Sequence, residues 1–295
     1  MKILVTGATG FIGRAFCRVA LERGHRVLAL CRGTAAALPP EVEIAQGTLV
    51  DTPWKQVETF APDATLHLAW LATPGSYLMS PENAVWLDQS ITWFQRLQSM
   101  KPHHVAGAGT CFEYAASALP LQESLSPLAP LFPYSQAKVS LFQWLRKEGG
   151  FSAMPWTWFR VFIPYGPGEH PNRLTSSLIT QLRAGNRLSL RTPYSLRDYI
   201  YIDDAALALC RALEEKITGA VNVGTGRGVV IQHLAQRIAD ALGVAPCQAL
   251  PTGEPALDPT PSIVADLTRL GSIWTPKVSL EEGLQRLIDS LPMAT

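Results

Sequence analysis

The chain has 295 residues, of which 47% are hydrophobic and 17% charged, and its formal net charge is +1. This length and composition predict an ordinary globular protein of one large or two unequal domains. A charge so near zero, with no clustered basic stripe, argues against nucleic acid as a partner. No apolar run approaches the length of a membrane span, so we expect no membrane association.

Cysteine usage indicates the compartment. The five cysteines are scattered and form no CxxC pair; they are Cys17, Cys31, Cys111, Cys210 and Cys247. This arrangement argues against a disulfide framework or a metal site and is typical of a reducing compartment. The first apolar run, from Ile3, is too short for the core of a signal peptide. We therefore expect a cytoplasmic protein without a metal.

Short apolar runs alternate with helical patterns along the first half of the chain, which predicts βα units on a parallel sheet. The predicted strands are Lys2–Thr6, Arg26–Leu30, Glu43–Gln46, Thr65–Ala69, His104–Gly107 and Thr157–Phe162. The predicted helices between them are Gly10–Arg23, Trp54–Phe60, Pro81–Met100 and Tyr134–Lys147. The fold class is therefore predicted to be α/β, with a doubly wound parallel sheet of the Rossmann type.

Beyond Phe162 the pattern loosens into segments rich in proline and glycine. Further helices are predicted at Leu174–Ala184, Asp204–Glu215, Ile231–Leu242 and Leu280–Leu291. We interpret Asp203 or Asp204 as a helix N-cap, and we expect Tyr199–Ile202 and Ala220–Val223 to return to the main sheet. The prediction is a larger domain of residues 1–162 plus about 196–224. A smaller, interleaved C-terminal lobe is predicted to comprise about residues 163–195 and 225–295.

Three glycines follow the first predicted strand at the spacing of a phosphate-binding turn. Glycine at these places permits a tight turn, close approach of a pyrophosphate and close packing of the next helix. The start of that helix offers free N–H groups and a positive dipole end to phosphates. A plain strand-turn-helix is the alternative. The predicted cofactor contacts here are Gly7, Gly10, Phe11, Ile12, Gly13 and Arg14.

The end of the second strand indicates which nicotinamide cofactor is used. A carboxylate there would bind the ribose 2′-hydroxyl of NAD, but the sequence has Cys31-Arg32. Arg32, helped by Arg14, can pair with a 2′-phosphate. We therefore predict NADP(H), with NAD less favoured; the alternative is that both arginines are plain surface charges.

Tyr134 and Lys138 are spaced i and i+4, on one face of a predicted helix. An ammonium beside a phenol favours the phenolate, so we expect Lys138 to lower the pKa of Tyr134 and make it a usable acid or base. Thr110 follows the fifth predicted strand, at the edge where open α/β sheets build their sites. We predict that all three are catalytic; an ordinary surface pair on the helix is the alternative.

Taken together, these motifs resemble those of the extended short-chain dehydrogenase/reductase family, the sugar-nucleotide epimerases, dehydratases and reductases. The likeness runs along nearly the whole chain. Other family-like stretches are His67-Leu68-Ala69, Arg160–Gly168, Arg197–Asp204, Asn222–Gly226 and Leu280–Leu284.

The resemblance implies further contacts. As cofactor-binding residues it adds Leu49, Leu68 and Ala69 to Cys31, Arg32, Tyr134 and Lys138. The implied substrate is a nucleoside-diphosphate sugar held by the smaller lobe, and its expected contacts are Cys111, Phe112, Arg173, Leu174 and Arg197. Arg197 matches the family's diphosphate-binding arginine, with a structural ion pair to a neighbouring acid as the alternative. Members of the family often form homodimers through the helices that correspond to Pro81–Met100 and Tyr134–Lys147.

Departures from the family patterns narrow the chemistry. Dehydratases place acids directly after the catalytic threonine, whereas the first acid here is Glu113, which disfavours 4,6-dehydration. Cys111 and His170 do not fit the spacing of the double epimerases. Ile163 stands where enzymes like UDP-galactose 4-epimerase have asparagine.

The resulting prediction is an enzyme that uses NADPH to reduce a nucleotide-linked 4-keto-6-deoxy sugar. An NAD-dependent nucleotide-sugar 4-epimerase with the same three residues is the alternative. A non-catalytic NADP(H) sensor on this fold is disfavoured, because a sensor has no need of an intact set of Thr110, Tyr134 and Lys138.

Overall fold

A parallel sheet of seven strands forms the centre of the molecule, in the order β3-β2-β1-β4-β5-β6-β9. The computed structural model describes residues 1–101, 103–147, 155–245 and 254–292, and Cys247 lies outside them. The strands of this sheet are β1 (Lys2–Thr6), β2 (Arg26–Cys31), β3 (Glu43–Gln46), β4 (Ala64–His67), β5 (Val105–Thr110), β6 (Trp156–Val161) and β9 (Gly219–Val223). All their pairings are parallel. The predicted Rossmann-type sheet is therefore confirmed, and its order reverses between β1 and β4, where such folds open their binding crevice.

Helices cover both faces of this sheet and also pack around a second, smaller sheet. They are α1 (Phe11–Glu22), α2 (Trp54–Phe60), α3 (Glu82–Gln98), α4 (Pro133–Lys147), α5 (Leu174–Arg183), α6 (Ile202–Glu214), α7 (Ile231–Leu242) and α8 (Leu280–Ser290). On one face, α1 packs against α6 in the larger hydrophobic core. On the other, α2, α3 and α4 share a second core. Two apolar faces explain why the strands are almost continuously apolar.

A second, smaller sheet is formed by strands from the C-terminal half of the chain. It contains β7 (Ile163–Tyr165), β8 (Leu196–Tyr201), β10 (Gly228–Val230) and β11 (Ser262–Ile263). β8 pairs with all three of the others. The prediction that Tyr199–Ile202 returns to the main sheet is therefore wrong. The chain leaves the main sheet after Phe162, and its next strand, β7, pairs with β8. The predicted return of Ala220–Val223 is confirmed as β9, and the domain division itself stays a prediction.

Two aspartates at the start of α6 differ from their predicted role. The N-cap of α6 is Tyr201, and Asp203 and Asp204 lie in its first turn. The carboxylate of Asp204 accepts hydrogen bonds from the backbone N of Lys277 at 2.9 Å and of Val278 at 2.8 Å. The N-cap interpretation is therefore wrong. Asp204 instead ties the segment before α8 to the main domain.

The face predicted for homodimerisation lies on α3 and α4, which pack against each other. Trp93, Phe94 and Leu141 of that face are core residues of the subunit itself, whereas Trp86 is only partly buried. Dimerisation stays a prediction. Among the described segments, no helix combines the length and the apolar character that a membrane crossing requires.

Candidate active site

The glycine segment after β1 forms one wall of a cleft of about 740 Å³. Gly7 has a φ of +70°, and a Cβ on it would lie 2.6 Å from the backbone N of Ala69. A Cβ on Gly13 would lie 2.2 Å from the backbone O of Gly7. The helix α1 begins at Phe11 without a side-chain cap, so its first N–H groups are free to meet an anion. This cradle fits the pyrophosphate of a dinucleotide.

The far end of the cleft lies where β2 and β3 end. Its lining there comprises Leu30, Cys31, Arg32, Gly47, Thr48, Leu49 and Val50. Arg32 is exposed, and among the described lining residues only Glu82, on α3, is acidic. Every predicted cofactor residue lines this cleft except Arg14, whose Nη2 donates a 2.8 Å hydrogen bond to the backbone O of Gly168. A role for Arg14 at a 2′-phosphate stays a prediction, and the structure gives its guanidinium another partner.

The three predicted catalytic residues line the same cleft, where β5 ends and α4 begins. Thr110 is the last residue of β5, and its hydroxyl accepts a 3.3 Å hydrogen bond from the backbone N of Phe112. Lys138 is only 2% exposed, and its Nζ donates a 2.8 Å hydrogen bond to the backbone O of Ala108. Tyr134 lies one helical turn before Lys138. The sequence therefore identified three side chains that the fold brings together.

The ionisation of this pair differs from the expectation. Burial raises the pKa of the Tyr134 phenol, and the nearby Tyr77 and Glu113 raise it further. Burial also lowers the pKa of Lys138 to about 7. The expectation that the pKa of Tyr134 is lowered is therefore wrong for the protein alone, because burial of the phenol has the largest effect. Without a cofactor, Tyr134 is a neutral phenol at pH 7, and its catalytic role stays a prediction.

Beneath Thr110 lies a buried ion pair between Glu113 and Arg160. The two side chains are 0% and 1% exposed, and the Nε of Arg160 donates a 2.8 Å hydrogen bond to Oε2 of Glu113. Oε1 of Glu113 accepts from the backbone N of Thr110 at 2.9 Å and from Nε1 of Trp158 at 3.0 Å. Glu113 is therefore turned away from the cleft, and it fixes the backbone that carries the Thr110 hydroxyl.

Of the two residues after Thr110, only one lines the cleft. Phe112 does so, and its ring packs edge-on against Phe132 at 6.1 Å between centroids. Cys111 is 1% exposed, and burial raises the pKa of its thiol to about 12. The predicted contact of Cys111 with substrate stays a prediction, although the structure buries its side chain outside the cleft lining.

Two aromatic residues of the loop after β4 were missed by the sequence reasoning. Trp70 and Tyr77 both line the cleft. The ring of Tyr77 meets that of Tyr134 edge-on at 4.8 Å between centroids, and the ring of Trp70 lies 3.7 Å from Nζ of Lys138. Their position directly after a strand that ends at the cleft is the signal that could have found them.

A second, smaller cavity of about 180 Å³ adjoins the cleft, and its lining includes Arg173, Leu174 and Arg197. Arg173 lines both cavities. The guanidinium of Arg197 is held by Asp258, whose Oδ2 lies 2.5 Å from Nη2, and by the backbone O of Thr260 at 2.8 Å. The structural ion pair that was the alternative interpretation of Arg197 is therefore present. The contact of Arg197 with a substrate diphosphate stays a prediction.

Comparison with known proteins identifies the family. The model of the NAD dependent epimerase/dehydratase family matches residues 3–224. The chain is 28% identical over 287 residues to a UDP-glucose 4-epimerase of Corynebacterium glutamicum, covering 87% of this chain and 86% of that protein. It is 25% identical to a dTDP-6-deoxy-L-talose 4-dehydrogenase (NAD(P)(+)) of Kitasatospora kifunensis, covering 97% and 94%. The solved structure of a Thermus thermophilus UDP-glucose 4-epimerase with NAD covers 98% of each chain, with a TM-score of 0.82 and 25% identity. The chain therefore belongs to the NAD-dependent epimerase/dehydratase family, within the extended short-chain dehydrogenases/reductases.

Proposed function

We propose that this protein is a nucleotide-sugar 4-epimerase that uses NAD. The observation that carries the proposal is that a hydroxyl, a phenol and an amine, from Thr110, Tyr134 and Lys138, line one cleft with the glycine cradle. The 4-epimerases of Corynebacterium glutamicum and Thermus thermophilus support epimerisation over the reduction that the sequence favoured. The Thermus structure, which contains NAD, likewise supports NAD over NADP.

In this mechanism the protein moves protons at the sugar O4. When bound, NAD would accept the hydride of C4 and later return it, and its positive charge would favour the phenolate of Tyr134. In the oxidation direction Tyr134 acts as its phenolate: it takes the proton of the C4 hydroxyl as the alcohol becomes a ketone, and it returns the proton after the sugar has presented its other face. Thr110 orients O4 by a hydrogen bond. Lys138 holds the cofactor ribose and, while charged, favours the phenolate of Tyr134.

The nucleoside diphosphate of the substrate would occupy the smaller cavity. Arg173 supports this assignment because it lines both cavities, and within the described residues its guanidinium makes one hydrogen bond, a 3.4 Å contact with the backbone O of Pro164. Its remaining donors are available for phosphate oxygens. Arg197 has fewer free donors because of Asp258, so we assign Arg173 the larger share of phosphate binding.

Reduction of a nucleotide-linked 4-keto-6-deoxy sugar by NADPH is the second candidate. Two observations favour it: Arg32 lies where β2 ends, where none of the described lining residues is acidic, and the dTDP-6-deoxy-L-talose 4-dehydrogenase is a relative over nearly the whole chain. The same three catalytic residues serve both reactions. They differ in whether the hydride returns to the same sugar.

The two candidates are separated by the fate of the cofactor. The purified protein is incubated with UDP-glucose, without and with added NAD, and the products are resolved by chromatography for UDP-galactose. In parallel, NADPH absorbance is followed with a dTDP-4-keto-6-deoxyhexose. Interconversion of UDP-glucose and UDP-galactose without net change of nicotinamide absorbance supports the epimerase. Loss of NADPH in proportion to keto sugar, with no interconversion, would replace it by the reductase.

A further inference from the structure

The buried amine of Lys138 lies over the ring of Trp70, a place where a second hydrogen-bond acceptor would be expected. Its Nζ lies 3.7 Å from the centroid of the Trp70 ring and 5.9 Å from that of Tyr134, while the backbone O of Ala108 accepts one of its protons. A cation at such a short distance from an indole face is attracted by the ring quadrupole, most strongly where water is excluded.

Trp70 is fixed in this position by a buried asparagine. Its Nε1 donates a 2.8 Å hydrogen bond to Oδ1 of Asn83, which is 1% exposed. The Nδ2 of Asn83 donates in turn to the backbone O of Tyr77 at 2.7 Å and of Ser80 at 2.9 Å. The indole therefore cannot rotate away without breaking a buried network, and its face stays on the amine.

We propose that Trp70 is a positioning residue that keeps the amine of Lys138 charged and aimed at the cofactor ribose. The inference rests on the proposed role of Lys138 toward the cofactor, but it does not depend on which sugar reaction follows. The ring takes the place that a carboxylate or hydroxyl would otherwise fill, and it does so without adding a negative charge to the cleft.

Other groups around Lys138 act on its charge in both directions. The buried carboxylate of Glu113, next to β5, favours the ammonium. His67, at the end of β4, is neutral near pH 7 because burial lowers its pKa to about 3. Tyr134 on α4 is a neutral phenol. Burial of Lys138 itself lowers its pKa to about 7, so the indole opposes the largest unfavourable effect.

The test follows the affinity for NAD as a function of pH, by isothermal titration calorimetry without any sugar. For the wild type we expect affinity to fall as pH rises through the pKa of Lys138, by about tenfold or more for the loss of one charged contact. In Trp70→Leu the midpoint of this fall should move about one pH unit toward acid, and in Trp70→Phe by less. Trp156→Leu, which changes a partly buried tryptophan at the start of β6 that does not line the cleft, should leave the midpoint in place.

Two further measurements make the outcome decisive. Lys138→Met should abolish the pH-dependent fall, which assigns it to this amine. Thermal unfolding of each variant shows whether the fold is intact, and Trp70→Phe keeps the test valid if Trp70→Leu does not fold. An unchanged midpoint in folded Trp70 variants would overturn the proposal. Because no sugar is present, the test does not depend on the sugar reaction, and for a protein that binds NADP more tightly the same titration is made with NADP.

Discussion

Removing the cation from the buried pair beneath Thr110 should destabilise the whole protein. In Arg160→Met, Glu113 would keep its bonds from the backbone of Thr110 and from Trp158, but Oε2 would lose its guanidinium partner. The opposite change, Glu113→Gln, would leave Arg160 charged and buried and would turn an amide N–H toward its Nε. Each single change leaves one unpaired polar or charged group at a site with almost no exposure.

The size of the effect follows from the burial of both partners. Breaking a buried ion pair by removing one member costs about 3–5 kcal/mol, because the remaining charge is desolvated without compensation. For a chain of this length that corresponds to a fall in Tm of roughly 10 °C. The double variant removes both charges. Its loss in free energy of unfolding should be smaller than the sum of the two single losses by about 2 kcal/mol or more.

Urea unfolding, followed by far-ultraviolet circular dichroism, measures the four free energies of this cycle. Catalytic turnover should fall in both single variants as well, since Glu113 holds the backbone N of Thr110. Arg26→Met provides a control, because the Arg26–Glu43 pair is exposed and such pairs contribute about 1 kcal/mol at most. Losses that simply add in the double variant, or single losses no larger than the control, would refute the reasoning.

Three further predictions concern the cleft and the smaller cavity. Tyr134→Phe should lower turnover by about 100-fold or more while NAD affinity is kept, whereas Tyr77→Phe should retain most of the activity; equal losses in the two would contradict the assigned proton donor. In the folded protein His67 is neutral near pH 7, because burial lowers its pKa to about 3. The unfolded chain takes up a proton at the ordinary histidine pKa of about 6.5. The free energy of unfolding should therefore fall as pH is lowered from about 6.5 toward 3. Acid unfolding of His67→Gln should therefore show a weaker pH dependence over this window, and an unchanged dependence would sink the idea. Arg173→Ala should weaken binding of UDP about tenfold or more in calorimetry with little change in Tm, and unchanged affinity would remove Arg173 from the phosphate site.

The sequence was most informative where local spacing decides the structure. Gly7 and Gly13 are required by the backbone contacts that a Cβ would violate, and that requirement is visible as a glycine pattern after an apolar run. Tyr134 and Lys138 share one helical face because of their spacing, whatever surrounds them. These features depend on neighbours within one βα unit or one helical turn, so they could be predicted.

The features that could not be predicted from the sequence depend on contacts between distant segments and on burial. Arg197 meets Asp258 only because β8 and the segment before β11 come together in the smaller sheet. Asp204 bonds to Lys277 and Val278 rather than capping its own helix. The direction of the pKa of Tyr134 follows from how deeply the helix is buried. None of these distances is encoded in local spacing.

The position of Glu113 links the fold to the choice of reaction. An acid that expels a sugar hydroxyl must reach the cleft, but Glu113 is 0% exposed and its carboxylate is committed to Arg160, Trp158 and the backbone of Thr110. Glu113 therefore cannot serve as that acid, which argues against dehydration by the residues that follow Thr110. Tyr134, Thr110 and Lys138 place a phenol, a hydroxyl and an amine at the cleft, a set suited to reversible exchange between an alcohol and a ketone. We expect the lifetime of the bound cofactor to decide whether that exchange ends in epimerisation or in net reduction, and we expect Arg32 and the contact between Lys138 and Trp70 to affect that lifetime.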